Sequence, residues 1–329
     1  MPKTPFEQVL DASGEPIRVA MDDVERTLEA VTASYGGLLA RSAEVTRAAG
    51  GKRLRPLLVF VCAGDAAADA TTRAALVRAG AAVELVHMAT LVHDDVVDGA
   101  LVRRGSATVY AQSGRGAATA TGDFLFSRAF ALLRDSDDRE QTRALADACL
   151  ALARGELAQR EDAFTTGVSE QRYLHRCGLK TASLFAAACR LGALAGEQNG
   201  EAVQALERFG RKIGIAFQVL DDVLDVAGPV ERTGKERGTD LLEGTTTLPL
   251  ILAAAADPEL GAIDLRDVRT REDAERICDR IAATDALEQS RHYARGLVES
   301  AKAELDGGLE PDVSALLRLV ADRVVSRYS

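Results

Sequence analysis

Apolar positions recur along the chain at helical spacing, and the first clear run lies between Val19 and Ala49, where Met21, Val24, Leu28 and Val31 mark one face. That run predicts an amphipathic helix ended by Gly50 and Gly51, with Pro56 near the start of a second helix continuing through Val61. A third stretch, Thr71 to Asp98, is apolar on nearly every face, the pattern of a helix buried inside a domain. Gly99 to Gly122 is glycine-rich, polar and basic, and predicts a loop or broken helix. Further helices are predicted over 123–133, 137–159, 181–195 and 201–226. The segment 227–247 is rich in Gly, Thr and charge without any period, and predicts a mobile loop. From Arg271 onward the pattern is again amphipathic helix, interrupted at Gly307–Gly308. The expectation is an all-α protein, one large helical domain spanning residues 1–329.

Composition sharpens this picture. Aromatic residues make up 4% and Trp is absent, while alanine, the best helix former, occurs in runs, so an all-β sandwich is excluded. A formal net charge of −10 is the wrong sign for a non-specific nucleic-acid binder. Five cysteines are scattered without a C-x-x-C pair, against a disulfide framework or zinc site and in keeping with a reducing compartment. The first ten residues read as no signal segment, and no uncharged apolar run approaches the ~20 residues of a membrane span. A cytoplasmic protein without a transmembrane segment is expected.

Two stretches repeat one message. His93-Asp94-Asp95-Val96-Val97-Asp98 and Leu220-Asp221-Asp222-Val223-Leu224-Asp225 are each D-D-x-x-D at the end of an apolar helix. Residues i and i+4 share a helix face about one turn (~6 Å) apart. Asp94 therefore lines up with Asp98, and Asp221 with Asp225, with Asp95 and Asp222 just beside them. Three carboxylates in one turn repel each other unless cations sit between them. An all-oxygen ligand set with room for water favours Mg²⁺, whose remaining partners are commonly phosphate oxygens. A solvated acidic helix end would explain one such cluster, but two copies on apolar helices speak for metal.

Fixed cations accompany the acids. Gly50-Gly51-Lys52-Arg53-Leu54-Arg55-Pro56 places Lys52 and Arg55 three apart at a helix start, where the dipole also favours an anion. Arg103-Arg104-Gly105 follows the first acidic motif, Lys180-Thr181 opens another helix, and Gly234-Lys235 follows the second motif. Arginine forks and lysine point charges both suit a diphosphate. His87 and His93 share the buried helix of the first motif, and chemistry alone assigns neither a role.

In this order the residues resemble the trans-isoprenyl (polyprenyl) diphosphate synthases, long-chain bacterial type. The likeness extends through Gly122-Asp123, Gly155-Glu156, Phe217-Gln218 and Thr247-Leu248-Pro249. It implies a helical bundle around a deep central cavity, a homodimer, and head-to-tail trans condensation of an allylic diphosphate with isopentenyl diphosphate. By the same resemblance Asp94, Asp98 and Asp221 ligate Mg²⁺ (with Mn²⁺ as a substitute), and Asp95, Asp222 and Asp225 are ligands or their supports. Arg103, Lys180 and Lys235 would hold the allylic diphosphate; Lys52, Arg55, His87 and Arg104 would hold isopentenyl diphosphate. Thr181 and Gln218 would face the allylic carbon. The family commonly has lysine where this chain has Thr245.

Product length follows from the helix bearing Asp94. Thr90 lies one turn below that residue, Ala89 beside Thr90, and Val86 about two turns (~12 Å) below. In short-chain members an aromatic at the position of Ala89 or Thr90 blocks the tunnel. Here both are small, as are Gly80, Ala81 and Ala82 beneath, so a hexaprenyl to nonaprenyl product is expected. Two rival readings share these features: a class I terpene cyclase, and a catalytically silent partner subunit of a synthase. The intact second acidic motif and the Lys52/Arg55 pair argue against the first, and the retained aspartates and paired arginines, with only the lysine at 245 lost, argue against the second.

Overall fold

The computed structural model describes residues 5–134, 138–228 and 237–326. Helices dominate it, and among the described residues the only sheet is a hairpin pairing Val102–Arg103 with Ser106–Ala107. The all-α expectation holds. Helices α1 (Pro5–Ala12), α2 (Gly14–Ala33), α3 (Gly37–Ala48), α4 (Leu54–Ala63) and α5 (Ala70–Asp98) open the chain. They are followed by α6 (Val109–Arg134), α7 (Arg139–Asp162), α8 (Glu170–Cys177), α9 (Ser183–Ala195) and α10 (Gly200–Ala227). Shorter helices at Thr239–Leu242, Leu248–Ala256 and Pro258–Gly261 precede the final three, Arg271–Ala282, Ala286–Ala303 and Pro311–Ser326.

Three departures from the periodicity have local causes. The predicted helix over 19–49 is two, because Gly36 and Gly37 take φ of +65° and +62°, which a helix cannot continue through. The glycine-rich stretch after Asp98 is a hairpin and then a long helix, kinked where Gly114 leaves helical geometry at φ 78°, ψ 173°. Helix α8 had no sequence signal of its own. Part of the predicted loop, 229–236, lies outside the described residues; Thr239–Leu242 within it is helical.

Packing groups the chain into two compact units, each assembled from separated stretches: 1–149, 184–210 and 304–320 in one, 150–183, 211–303 and 321–329 in the other. The first unit centres on α5, which packs against α2, α4 and, along most of its length, α6. Asp69 caps α5 by accepting from the Thr72 amide at 2.8 Å, and Gly99 ends it in the left-handed conformation. Although α5 is long and apolar enough to cross a membrane, 72% of its most apolar window is buried within the protein, as in a core helix. Gly192 of α9 and Gly196 just after it press against the α4 backbone at Val59 and Ala63, where a methyl group would collide. The second unit has its own core, with Val223, Leu241, Leu250, Ala274, Cys278 and Ile281 among its buried members.

Candidate active site

Helix α5 is largely buried between Leu76 and Val96, where His87, Thr90, Leu91, His93 and Asp94 are partly exposed, as is Asp98 at its end; His87, Thr90, Leu91, Asp94 and Asp98 are the ones that line up. Their spacing of 3–4 residues puts them on one stripe, so this face borders open space. Helix α10 repeats the pattern with Phe217, Gln218, Asp221, Leu224 and Asp225 partly exposed among buried neighbours. The sequence reading that paired Asp94 with Asp98 and Asp221 with Asp225 is therefore realised on two helices. Val86 and Ala89 are fully buried, while Thr90 reaches the stripe and donates from its hydroxyl to the His87 carbonyl at 2.8 Å.

The middle aspartate of the first motif turns inward. Asp95 is 5% exposed and accepts from Arg103 Nε at 2.7 Å. Burial pushes its carboxyl up, opposed by the Arg103 charge and hydrogen bond. The hairpin delivers that guanidinium: Arg104 and Gly105 both take left-handed φ at its two-residue turn, folding Arg103 back toward the end of α5. His93, on the same helix, lies against Gly122 of α6, where any side chain would collide with the ring. Its Nε2 is 3.4 Å from Asp123 and 3.3 Å from the Thr119 carbonyl. The Gly122-Asp123 pair thus acquires a role in seating α6 against the helix that carries Asp94.

The basic segment before α4 gathers at the other end of the α5 stripe. Arg55 lies with its guanidinium 4.5 Å above the Phe185 ring, and its Nε is sealed from water without a hydrogen-bond partner. Burial pulls its pKa down to about 10. Arg104 donates to the Gly50 carbonyl. His87 is held well below the usual histidine range, first by burial and then by Arg55, Arg104, Arg53 and Arg103, so it is neutral at pH 7. Sequence reasoning missed two members. Arg53 is left-handed (φ 48°), 9% exposed, and donates to Glu84 at 2.7 Å and to Glu25 at 2.5 Å. Glu84 is 2% exposed, and its signal was available as a lone carboxylate in the apolar middle of α5.

In the second unit Asp222 is 3% exposed and accepts from the Tyr173 hydroxyl at 2.5 Å and Gln218 Nε2 at 2.7 Å. Burial raises its pKa well above the ordinary carboxylate value, with Asp240 and Asp221 adding to the rise. Thr181 donates to Gln218 Oε1 at 2.6 Å, so Thr181, Gln218, Asp222 and Tyr173 form one chain of hydrogen bonds. Asp225 accepts from the backbone amides of Thr239 and Asp240, each at 3.2 Å, tying the motif to the segment that follows it. Lys180 and Thr181 sit on a single π-helical turn, Gly178–Ala182, a feature frequent at functional sites. Lys180 pairs with Glu156, and Gly155 lets α7 approach this turn, since a Cβ there would lie 2.6 Å from the Lys180 amide.

The stretch 244–247 is fastened from several sides. Buried Arg176 donates to the Thr246 carbonyl at 2.5 Å and to Asp162 at 3.3 Å, while Thr246 donates to the Thr165 carbonyl at 2.6 Å. Thr245 is only partly exposed, its amide on the Asp240 carbonyl at 2.7 Å. Tyr173 and Arg176, one turn apart on α8, thus secure both the second motif and this stretch, and neither had been singled out in the sequence. Lys235 lies outside the described residues.

Among the described residues no three His, Cys, Asp or Glu side chains converge as a ready cage for a metal. The carboxylates stand instead as pairs one turn apart, which suits a hard cation completed by water and phosphate oxygens. A separate cleft of about 550 Å³, walled by Leu248, Leu252, His292, Tyr293 and three acidic residues, Glu170, Asp285 and Glu288, contains none of the site residues read from the sequence.

The family pattern described as Polyprenyl synthetase matches residues 37–282. The chain is 36% identical to heptaprenyl diphosphate synthase component 2 of Geobacillus stearothermophilus, over 91% of this chain and 92% of that one. It is equally 36% identical to geranylgeranyl diphosphate synthase of Methanosarcina mazei, over 85% of this chain and 86% of that one. A solved polyprenyl synthase from Caulobacter crescentus, in complex with calcium and isoprenyl diphosphate, superposes with a TM-score of 0.91 at 34% identity over 100% of both chains.

Proposed function

Because the chain belongs to the polyprenyl synthetase family and is thus a trans-isoprenyl diphosphate synthase, we propose that it extends an allylic diphosphate with isopentenyl diphosphate to a hexaprenyl to nonaprenyl product. The observation that carries this reading is the part-exposed stripe on α5, with His87 and the arginine cluster at one end and Asp94 and Asp98 at the other. One end offers fixed cations to a diphosphate and the other offers carboxylates to a divalent cation. Thr90, between them, leaves the stripe unobstructed.

In this reading Lys52, Arg55, His87 and Arg104 bind isopentenyl diphosphate. Asp94, Asp98 and Asp221 hold Mg²⁺, with Mn²⁺ as a substitute, and the calcium in the Caulobacter complex supports a divalent ion. Such an ion neutralises charge on the departing diphosphate. Asp95, Asp222 and Asp225 orient the flanking ligands through the bonds described above. Arg103, Lys180 and Lys235 add positive charge at the allylic diphosphate. Thr181 and Gln218, locked by their mutual hydrogen bond, present oxygen atoms toward the allylic carbon. Water must be kept from an allylic cation, and the apolar surroundings of both stripes serve that end.

The protein acts in the cytoplasm as a homodimer. Leu150, Ala153 and Leu157 form an exposed apolar stripe on α7, with Leu150 and Leu157 61% and 64% exposed, a surface suited to a second copy. The name "component 2" of the Geobacillus relative favours one alternative, a partner subunit of different sequence on the same surface.

The test is product length from purified protein supplied with Mg²⁺, isopentenyl diphosphate and farnesyl diphosphate. A hexaprenyl to nonaprenyl product is expected, and Thr90→Phe, at the position that reaches the stripe where Ala89 is fully buried, should shorten it while sparing the first condensation. A wild-type product ending at farnesyl or geranylgeranyl diphosphate rejects the long-chain reading. Size-exclusion chromatography with light scattering gives the oligomeric state in the same preparation.

A further inference from the structure

An anionic side chain sits where an anionic substrate is to be bound. Glu84 projects from α5 one turn before His87 and is 2% exposed, in a helix that is otherwise apolar at that level. Its Oε1 accepts from Arg53 Nη1 at 2.7 Å. Its charge also favours the charged form of Arg55, against the burial that pulls that group down. The neighbouring loop records how closely these groups meet. A Cβ placed on Gly51 would lie 3.0 Å from Arg53 Nη1, 3.4 Å from Arg104 Nη1 and 3.6 Å from Glu84 Oε1. Two guanidiniums and one carboxylate therefore converge on a single point beside Arg55 and His87.

A carboxylate here opposes a diphosphate by direct repulsion, so its presence needs another reason. Arg53, Arg55, Arg103 and Arg104 all press on His87 with like charge, and Arg55 Nε has neither water nor a hydrogen-bond partner. Before substrate arrives, like charges gathered around buried Arg53 and part-buried Arg55 would drive the side chains apart or out toward water. Glu25 pairs with Arg53 of this group and with Arg47 outside it, from a partly exposed position. Glu84 is the buried countercharge. The strained left-handed backbone at Arg53 is what aims that guanidinium inward onto it.

We propose that Glu84 is a positioning residue, a built-in anion that keeps the arginine cluster assembled while the isopentenyl diphosphate site is empty. The inference rests on the proposed function for the identity of that site. With Glu84 in place the cations stand ready, and the excess positive charge is what the diphosphate meets. Without it they must be gathered at each binding event, which weakens binding of isopentenyl diphosphate and leaves the allylic site alone.

Steady-state kinetics of Glu84→Gln, varying each substrate in turn, test this. The KM for isopentenyl diphosphate should rise about tenfold or more, with kcat and the allylic KM within about threefold of wild type. Thermal melting in EDTA supplies a readout that loss of packing alone would not move. At a fixed concentration isopentenyl diphosphate should raise the melting temperature of Glu84→Gln by less than it raises that of wild type, because a weaker site gives a smaller ligand-linked stabilisation. An unchanged or lowered KM, or equal ligand-induced shifts, overturns the proposal. Should Glu84→Gln fail to fold, Glu84→Asp and Gly51→Ala carry the same two measurements: the first withdraws the carboxylate from Arg53, the second crowds the point of convergence. Wild-type KM values in both overturn it equally. Lys52→Ala separates the two layers of argument. If it leaves the isopentenyl diphosphate KM unchanged, the site itself is misassigned; if it raises that KM while Glu84→Gln does not, only the role of Glu84 fails.

Discussion

Asp95 and Asp222 hold the same place in two matching motifs, one in each compact unit, and both are turned inward, 5% and 3% exposed. Their anchors differ in kind. Asp95 is held by the Arg103 guanidinium at 2.7 Å, a charge-assisted bond. Asp222 is held by two neutral donors, the Tyr173 hydroxyl and the Gln218 carboxamide. Burial raises both carboxyls, but Arg103 opposes the rise at Asp95, whereas Asp240 and Asp221 reinforce it at Asp222. One motif therefore keeps its middle residue as half of an ion pair, and the other keeps a carboxyl that favours its proton. Identical letters in the sequence specify the outward pair in each motif, while the buried third residue takes its chemistry from whatever packs against it.

The largest effects should come from the residues the two motifs share. Asp94→Ala and Asp221→Ala are each expected to lower turnover at saturating Mg²⁺ by about a hundredfold or more. Neither should lower the metal-free melting temperature, since each removes a carboxylate from a crowded acidic turn. Near-normal turnover in either variant would mean that the two motifs do not act alike.

The middle residues should then separate them. Asp222→Asn preserves shape and can donate to the Tyr173 oxygen, so at pH 8 it should be neutral or stabilising. Asp95→Asn leaves Arg103 without its countercharge and should cost about 1 kcal/mol, a modest figure because that arginine is 27% exposed. Tyr173→Phe should cost about 1–3 kcal/mol by leaving a buried carboxyl one partner short. The pH dependence carries the same contrast. A folded pKa raised above the unfolded carboxylate value means that Asp222 binds more protons in the native state. Its stabilising contribution is present below about pH 4 and is lost as pH rises through the raised folded value. Denaturant titrations of wild type and Asp222→Asn across pH 4–9 should converge at the acid end and diverge above it. Parallel curves would place Asp222 alongside Asp95 and erase the distinction.

A smaller effect concerns the stretch fastened to α8. Thr245→Lys adds a cation beside the segment that Arg176 and Thr165 hold in place, and should lower the KM for the allylic diphosphate by about threefold. An unchanged KM would indicate that the groups around the second motif already supply that interaction.

Much of this was legible in the chain. The period of Met21, Val24 and Leu28, the apolar run of α5 and the i, i+4 spacing of Asp94 with Asp98 are local properties, and the helices carrying them formed where the pattern put them. Where the reading failed, a local exception decided: paired left-handed glycines split α2 from α3, and α8, eight residues long, was too short for its period to show. Site residues followed the same division. Lys52, Arg55 and both acidic motifs stand at recognisable spacings, whereas Tyr173 is 49 residues from the aspartate it anchors, a distance at which no period operates.

By itself the sequence determined the helices, their apolar faces, the two carboxylate pairs and the family to which they belong, because each depends on residues within a turn or two of one another. Tertiary structure alone decided that Asp95 would meet a guanidinium and Asp222 a phenol, that Arg53 would turn inward, and that a carboxylate in the middle of α5 would pair with it. Those pairings bring together residues 8, 31 and 49 positions apart, beyond the reach of any helical period, and their energies depend on burial, which removes water as a competitor for every charge and hydrogen bond. Burial is a property of the packed molecule, and so the chemistry of the inward-facing residues is settled only when the helices close around them.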